Sequence, residues 1–358
     1  MKSFFKKNLT TLAMSATLLS APLFAPAVQA EEKTDFTIAW SIYVGWMPWD
    51  YADYAGVVDK WADKYGIDID VVQVNDYVES INQFTAGQFD ATVMTNMDAL
   101  TIPAASGVDS TAVIVGDFSN GNDGIVLKGD KSLADIKGQN VNLVELSVSH
   151  YLMARGLESV GMSERDVKVV NTSDADIVAA FSTDDVSSVV TWNPLLSEIT
   201  SQPDTSLVFD SSDIPGEIID LLVVNTETLE DNPKLAKALT GAWYEIMSTM
   251  TSKDKGDEAK TYMAQASGTD LAGYNQQLAA TKMFYNAAEA VEFTQSPQLT
   301  DTMQKVSEFS FDHGLLGEGA PDATFIGIET PTGVYGNSAN IKLRFTPEYM
   351  QMAAEGKL

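Results

Sequence analysis

Residues 69–94 read IDVVQVNDYVESINQFTAGQFDATVM and combine the signals of a strand, a helix and a second strand. An apolar run is followed by helical spacing over residues 77–86, which Gly87 ends, and then by a second apolar run at 91–94. The alternation continues on both sides, with strands predicted at 36–40 and 110–115 and helices at 54–65 and 98–105. This order predicts a mostly parallel sheet with helices on both faces.

A similar alternation begins again near residue 141. Strands are predicted at 141–144, 167–170, 188–191 and 221–224, and helices at 149–159, 175–181 and, from Pro233, through residue 250. The repetition predicts two lobes, which we place at residues 33–117 plus 222–358 and at residues 118–221. Ligands of open α/β sheets bind beyond the carboxyl ends of the strands, so we expect a ligand cleft between the lobes.

The first thirty residues have the features of a secretory signal peptide. Lys2, Lys6 and Lys7 precede a largely apolar segment, and Val28-Gln29-Ala30 fits a cleavage site. No cysteine follows this segment that could carry a lipid. We therefore expect residues 1–30 to be removed and the mature chain to be soluble and periplasmic.

The composition excludes several classes of function. The chain has no cysteine, which excludes thiol nucleophiles, cysteine-bound zinc and iron–sulfur clusters, and its two histidines are too few for a histidine-rich metal site. The net charge is −28, and −31 without the three lysines of residues 1–30, so binding to nucleic acid or anionic lipid is disfavoured. We expect no metal, no cofactor and no catalytic residue.

Short motifs spread over the chain resemble those of one family of transport proteins. LADIKGQNV at residues 133–141, followed by Glu145-Leu146-Ser147, is similar to the D-L-K-G-K-x-V … S run of nitrate/sulfonate/taurine-type ABC solute-binding proteins. FTAGQFD at 84–90 and Trp192-Asn193-Pro194 resemble the G-x-x-D and W-x-P runs of that family. The resemblance implies a type II periplasmic-binding fold, an α/β fold of two Rossmann-like lobes linked by two strand crossings.

Four further motifs resemble a single branch of that family. They are WSIYVGWMPW at 40–49, DFSNGNDG at 117–124, NTSDADI at 171–177 and IPGEI at 214–218. In this branch the binding protein accompanies urea carboxylase-type enzymes, and its expected cargo in nitrogen uptake is urea or a guanidine-type compound. The resemblance implies a small-molecule ligand and, as the protein partner, an ABC transporter membrane permease with its ATPase.

Loops at the strand ends of the first lobe supply candidate ligand contacts. Trp40, Tyr43 and Trp46 either stack on a flat, delocalised cation or pack their loop onto its own lobe. Asn96 and Asp98 stand where a helix begins, so Asp98 is either a helix cap or a ligand contact. The polar stretch 117–123, which ends at Asp123, is typical of a turn and would also suit the lining of a cleft.

The second lobe and the return crossing complete the predicted site. Glu145 and Ser147 precede a helix whose counterpart in anion-binding relatives, by the resemblance, receives sulfonate or nitrate oxygens. A carboxylate there would repel a buried anion and pair with a guanidinium, unless Glu145 points outward. Trp192 and Asn193 would cover and bond a planar ligand, and Glu217 is either a ligand contact or a solvated hinge charge. We predict a guanidine-type cation first and urea second.

Other functions are compatible with the same sequence. The ligand of a binding protein of this kind could be another small amine or a sulfonate-type solute, and the protein could serve as a chemosensory ligand-binding partner that docks on a receptor. An enzyme resembling the thiamine-pyrimidine synthases is disfavoured, because that resemblance belongs to intracellular chains with cysteine and histidine. We expect a monomer without enzymatic activity that closes its two lobes around the ligand.

Overall fold

The computed structural model describes residues 33–358. The predicted signal peptide, residues 1–30, lies outside the described residues. Between Lys33 and Leu358, no helix is both long enough and apolar enough to cross a membrane.

The described part of the chain alternates strands and helices for most of its length. The strands are β1 (Asp35–Trp40), β2 (Asp68–Gln73), β3 (Ala91–Thr95), β4 (Ser110–Ser119), β5 (Asp123–Lys128), β6 (Asn140–Leu143), β7 (Lys168–Asn171), β8 (Ser188–Trp192), β9 (Thr205–Asp210), β10 (Ile219–Asn225), β11 (Thr281–Met283), β12 (Gly327–Thr330), β13 (Gly333–Tyr335) and β14 (Ile341–Phe345). The α-helices are α1 (Met47–Tyr54), α2 (Val57–Tyr65), α3 (Tyr77–Thr85), α4 (Asn96–Ala99), α5 (Val148–Ser159), α6 (Asp174–Phe181), α7 (Leu195–Thr200), α8 (Thr226–Asp231), α9 (Pro233–Thr251), α10 (Gly256–Ala266), α11 (Leu271–Ala279), α12 (Ala287–Thr294), α13 (Pro297–Asp312) and α14 (Glu348–Ala354).

These strands form two separate sheets. The larger sheet has nine strands in the order β13-β12-β14-β4-β10-β3-β1-β2, with β11 paired to β4. The smaller sheet has five strands in the order β7-β6-β8-β5-β9. We refer to the residues packed on the nine-stranded sheet as the large half and to those packed on the five-stranded sheet as the small half. The predicted α/β periplasmic-binding fold, with two sheets and flanking helices, is confirmed.

Both sheets are mixed, although the sequence pattern predicted mostly parallel pairing. The N-terminal strands β1, β2 and β3 pair in parallel, but β10 inserts antiparallel between β3 and β4. In the small half, β5 is antiparallel to both β8 and β9. The chain passes from the large to the small sheet between β4 and β5, and it returns between β9 and β10. The antiparallel strands β5 and β10 are therefore the first strands after each passage.

The predicted lobe boundaries fall at these two passages. The large sheet takes its strands from residues 35–119 and 219–345, and the small sheet from residues 123–210. The proposed divisions at 117/118 and 221/222 therefore lie inside β4 and β10, and the exact extent of each lobe stays a prediction.

Several predicted elements differ in detail. The helix predicted at 54–65 is divided into α1 and α2, because Gly56 adopts a left-handed φ of 66° between them. The helix predicted at 98–105 begins at Asn96 and continues as a π-helical turn, Leu100–Ala104, which contains Pro103. The helix predicted from Pro233 through residue 250 is α9, and its apolar side chains, Leu239 and Trp243 among them, are buried. The remainder of the C-terminal region supplies four strands that were not predicted.

Helix α9 supports the loop that follows β1. Trp243 of α9 is 3 % exposed, and its ring lies 5.3 Å from the ring of Trp49 in α1. Pro48 stands at the start of α1, where its fixed φ suits the first turn of a helix. The stretch from residue 41 to residue 46 is therefore held between the end of β1 and a helix anchored in the core.

Candidate functional site

A small cavity lies where the two halves meet, and its volume is about 20 Å³, enough for little more than one water molecule. The large half contributes loop and strand-end residues, and the small half contributes Asp123, Val148 and Trp192. The lining residues are Tyr43, Trp46, Tyr77, Thr95, Asp123, Val148, Trp192, Ile218 and Asp220. Any solute larger than about one water molecule would have to push these side chains apart.

Four aromatic rings form a continuous row around this cavity. The ring centroids of Tyr43 and Trp46 are 5.0 Å apart at an angle of 66°, and those of Trp46 and Tyr77 are 5.4 Å apart at 34°. The row reaches the other half through Tyr77 and Trp192, whose centroids are 5.8 Å apart at 71°. These separations are typical of favourable edge-to-face and tilted pairs. The aromatic row therefore joins the two halves at the cavity.

Strand ends and helix starts position these rings. Tyr77 is the first residue of α3, whose N-cap Asp76 accepts a hydrogen bond from the Glu79 backbone N–H at 2.8 Å. The Tyr77 hydroxyl donates to Asp98 Oδ2 at 2.7 Å and accepts from the Thr95 backbone N–H at 2.9 Å. The Tyr77 ring is thus fixed at both its backbone and its hydroxyl.

Strand pairing brings the acidic residues to the same place. In the large sheet, Asp220 of β10 is directly opposite Thr95 of β3 on one side and Asp117 of β4 on the other. In the small sheet, Asp123 of β5 is directly opposite Trp192 of β8. The register of the two sheets therefore places carboxylates and aromatic rings around one point.

All four carboxyl groups near the cavity are buried. Asp98 and Asp117 are 0 % exposed, and Asp123 and Asp220 are 3 % exposed. Tyr43 donates to Asp117 Oδ1 at 3.2 Å, and Ser119 donates to Asp123 Oδ2 at 2.5 Å. Three oxygens lack a donor partner, namely Asp98 Oδ1, Asp117 Oδ2 and Asp220 Oδ2. Buried acceptors without donors are unfavourable, so this region is suited to a ligand that brings hydrogen-bond donors.

Burial also shifts the ionisation of these groups. It raises the pKa of Asp98 to about 6 and that of Asp123 to about 7, against the hydrogen bonds that they accept. Burial raises the pKa of Asp117, and burial together with the facing Asp117 raises that of Asp220. The contact between Asp117 and Asp220 is favourable only when one of them carries a proton. A bound cation could replace that proton.

Gly45 lets the aromatic loop approach Asp117. A Cβ atom at this position would lie 2.6 Å from Asp117 Oδ2 and 2.6 Å from Tyr43 Cε1. These distances are much shorter than van der Waals contact. Only glycine fits here without moving the carboxyl group or the Tyr43 ring.

Four residues predicted from the sequence lie on the cavity, namely Tyr43, Trp46, Asp123 and Trp192. They combine three aromatic rings with one buried carboxyl group, which is the combination expected for a flat cation. Whether they contact ligand stays a prediction.

Five other predicted residues lie elsewhere, in structural positions. Trp40 is 2 % exposed at the end of β1, within the hydrophobic core. Asn96 bonds the backbone of Glu217 and Ile219, and Ser147 caps α5. Asn193 donates to Asn122 and accepts from Ser197. Asp98 is not the cap of α4, a role taken by Thr95, and it bonds Tyr77 behind the cavity lining.

The two predicted glutamates lie outside the cavity lining. Glu145 is exposed, and its backbone N–H donates to Asn171 Oδ1 at 3.0 Å. Glu217 is paired with Arg155 at 2.9 Å and with Lys305 at 2.7 Å. The expectation that Glu145 faces the ligand therefore needs correction, because the loop before α5 turns this side chain outward. The acidic groups that face the cavity are Asp123 and Asp220.

Sequence reasoning missed Tyr77 and Asp220, and it included Asp117 only as the first residue of the polar stretch 117–123. Asp117 and Asp220 each interrupt an apolar strand, and an acidic residue inside such a run is a signal of a buried polar site. Tyr77 lies in the fourth position after the end of β2, in the region where ligand contacts of α/β folds are expected. Neither signal shows which residues meet, because that depends on the register of β10 between β3 and β4.

Comparison with known proteins agrees with the fold. Residues 54–245 match the family described as NMT1/THI5 like, and the chain belongs to that family. A Brucella abortus (strain 2308) protein, named as a candidate binding protein, is 25 % identical over 237 residues, which are 65 % of this chain and 71 % of the relative.

Two solved structures illustrate the shared fold. The alkanesulfonate-binding protein of Xanthomonas axonopodis pv. citri bound to MOPS has a TM-score of 0.64 at 17 % identity, covering 81 % of this chain and 96 % of its own. The periplasmic aliphatic sulphonate binding protein of Escherichia coli has a TM-score of 0.63 at 17 % identity, covering 80 % and 94 %.

Proposed function

We propose that this protein is the periplasmic solute-binding component of an ABC importer. The proposal is supported by the family, by the binding-protein name of the Brucella abortus relative and by the periplasmic proteins that share the fold. It is also supported by a cavity lined from both halves, because closure of two halves around a solute is how such proteins hold it. The importer's membrane permease and ATPase are then its partners.

We further propose that the solute is a small, flat, nitrogen-rich cation of the guanidinium type. The observation that carries this proposal is the lining itself, which combines four aromatic rings with Asp123 and Asp220 and contains no lysine, arginine or histidine. A buried cation requires carboxylates to offset its lost hydration, and aromatic faces add about 0.5–2 kcal/mol each. The unpartnered Oδ2 of Asp220 would accept one of its N–H groups.

Urea is the second candidate. It has the same flat shape, with a carbonyl oxygen in place of one NH2 group, and its remaining N–H groups would use the same acceptor oxygens. It lacks the positive charge, however, so it gains neither the ionic attraction of the carboxylates nor the cation–π attraction of the rings. We expect it to bind more weakly than guanidinium.

A sulfonate-type solute is the alternative suggested by the proteins that share the fold. Two of them are described as sulfonate-binding proteins. Against this alternative, an anion in the cavity would face Asp123 and Asp220 at close range, without a compensating basic group in the lining.

Calorimetric titration with guanidinium, urea and taurine tests the proposed cargo. We expect guanidinium to bind most tightly and taurine not at all. The Asp220→Asn and Asp123→Asn variants should each weaken guanidinium binding by at least about tenfold, since charge-assisted hydrogen bonds contribute about 1.5–3 kcal/mol, and should weaken urea binding less.

Glu145→Gln is the matched control, since it also neutralises an acidic side chain but one that is exposed. It should leave guanidinium affinity unchanged. Tight binding of taurine, or equal losses in the Glu145→Gln and Asp220→Asn variants, would contradict the assignment.

A further inference from the structure

The only two histidines of the chain meet at one carboxylate, far in sequence from each other. His150 Nε2 contacts Glu164 Oε1, and His313 Nε2 contacts Glu164 Oε2. His150 lies in α5 and Glu164 in the 3-10 turn Glu164–Asp166, both in the small half, whereas His313 follows α13 of the large half. The cluster therefore links the two halves.

The second nitrogen of each ring defines its protonation state. His313 Nδ1 lies 2.7 Å from the carbonyl oxygen of Phe309, so both nitrogens of His313 face acceptors. Such a ring satisfies both contacts only as an imidazolium, which donates twice. His150 differs, because its Nδ1 accepts from the Leu146 backbone N–H at 3.1 Å, which leaves the hydrogen on Nε2. The cluster thus consists of a cationic His313, an anionic Glu164 and a neutral His150.

The ionisation of the two charged members agrees with this description. The hydrogen bond that His313 donates to Glu164, against partial burial, raises the pKa of His313 above its ordinary value. Burial acts to raise the pKa of Glu164, but the hydrogen bonds from His150 and His313 outweigh it and hold that pKa at about 2. The charged groups that share the groove around the cluster are Arg155, Glu158, Arg165, Lys305, Glu308 and Asp312.

We propose that His313 and Glu164 form a proton-dependent latch that holds the two halves of this protein together. A neutral His313 keeps one ring hydrogen, so loss of the other proton would leave a nitrogen lone pair facing either Glu164 or the Phe309 carbonyl oxygen, and the contact with Glu164 would lose its ionic attraction. A second ionic bridge, from Arg155 through Glu217 to Lys305, also connects the halves. Asp123, whose pKa burial raises to about 7, lies between the halves as well, so the His313→Phe variant separates the contribution of the latch from that of the buried aspartates.

The latch also connects to the edge of the ligand cavity. Leu146, whose N–H is bonded to His150, has a left-handed φ of 65°, which a leucine rarely adopts. Two residues later, Val148 lines the cavity. The hydrogen bond from Leu146 helps to hold this turn in the conformation found when the halves are in contact.

A metal site is the other reading of two histidines and a glutamate. One nitrogen of each ring and one oxygen of Glu164 lie within 4.8 Å of one another, close enough to hold an ion, but in this structure each ring contacts a different oxygen of Glu164. His150 would also have to give up the hydrogen on Nε2 while its Nδ1 still accepts from Leu146.

The sign of the pH effect follows from the raised pKa of His313. The latch is fully formed below the ordinary histidine pKa of about 6.5 and is lost as the pH rises through the higher pKa of the closed form. If closure raises the pKa of His313 by one unit, deprotonation of His313 should lower the ratio of closed to open protein about tenfold. Each further unit should lower this ratio about tenfold again.

Two measurements on the ligand-free protein test the latch, and neither depends on the proposed cargo. NMR titration should show a raised pKa for His313, and this pKa should return to the ordinary range in the Glu164→Gln variant. Because the chain has two histidines, the His150→Gln variant is enough to assign the two signals. Small-angle scattering should show wild type opening as the pH rises above the ordinary histidine pKa of about 6.5. His313→Phe, which keeps the ring stacked 4.0 Å from Phe309, should be open throughout.

Arg165→Gln is the matched control, because it removes a charge from the same groove without removing a contact of the latch. It should open with pH as wild type does. An ordinary pKa for His313, or the same pH-dependent opening in wild type and His313→Phe, would overturn the proposal. Compaction by added zinc that disappears in His313→Phe would overturn it as well, in favour of a metal site.

Discussion

Single residues of this protein act mainly by letting charged and aromatic groups approach one another. Gly45 is the clearest case, since a Cβ atom there would lie 2.6 Å from both Asp117 and Tyr43. The absence of a side chain allows the Tyr43 hydroxyl to donate to Asp117 while the ring stays on the cavity.

Gly45→Ala should therefore displace Tyr43 and Asp117. We expect a loss of about 1–3 kcal/mol in the free energy of unfolding, as for other overpacked sites, together with weaker guanidinium binding. Gly319→Ala is the control, because nothing lies within 4 Å of a Cβ atom at that position. Denaturant unfolding and calorimetry measure the two effects, and equal behaviour of the two variants would contradict the role given to Gly45.

The buried aspartates should make stability depend on pH in an unusual direction. Because their pKa values are raised on folding, they stay protonated in the folded protein at pH values where the unfolded chain has lost these protons. The folded state then binds more protons, so the free energy of unfolding falls as the pH rises from about 4 to about 7.

Thermal unfolding at a series of pH values measures this slope. Each such group contributes up to about 1.4 kcal/mol per pH unit within its window. Asp123→Asn should make the slope shallower, and saturating guanidinium should do the same in wild type, because a bound cation stabilises the ionised carboxylates. A slope that Asp123→Asn leaves unchanged would contradict the raised pKa of Asp123.

The elements of the fold were largely predictable from the sequence. Strands such as β1 and β3 are apolar runs bounded by polar residues, and helices such as α3 and α5 have clear starts and glycines after their ends. The strands β5 and β9 were missed because flanking glycine and aspartate residues resemble turns. The C-terminal strands β12 and β13 are short, and their pairing partners are set by contacts distant in sequence.

The candidate site was predictable only in part, for the same physical reason. The aromatic loop was identified because three tryptophans and a tyrosine stand between residues 40 and 49. Asp220 was missed because its position depends on β10 being antiparallel between β3 and β4, and no local pattern encodes that register. Glu145 was chosen on local sequence alone, which does not show the direction of its side chain.

Helix α3 links local stability to the cavity, since it begins with Tyr77. Asp76→Ala removes the N-cap of α3, and Asp270→Ala removes the N-cap of α11. The two caps are matched, because each aspartate accepts a backbone N–H hydrogen bond at 2.8 Å. Both variants should lose about 1 kcal/mol of stability. Only Asp76→Ala should also weaken guanidinium binding, as measured by calorimetry; equal affinities in the two variants would show that the start of α3 does not position Tyr77.

The whole molecule combines a strongly acidic surface with an acidic cavity. The net charge of −28 favours the approach of cations over anions at low ionic strength, before any contact is made. At the junction of the halves, the rings and aspartates are the contacts proposed to recognise the solute. A separate group, formed by His150, Glu164 and His313, is proposed to set how readily the halves stay together.

The most direct test of the central claim is a crystal structure of the protein grown with guanidinium. The cation should lie among Tyr43, Trp46, Tyr77 and Trp192, with its N–H groups on carboxylate oxygens of Asp123 and Asp220. Guanidinium bound elsewhere, with the cavity between the halves unchanged, would contradict the account. So would a sulfonate or nitrate found among these rings when the protein is crystallised with those anions instead.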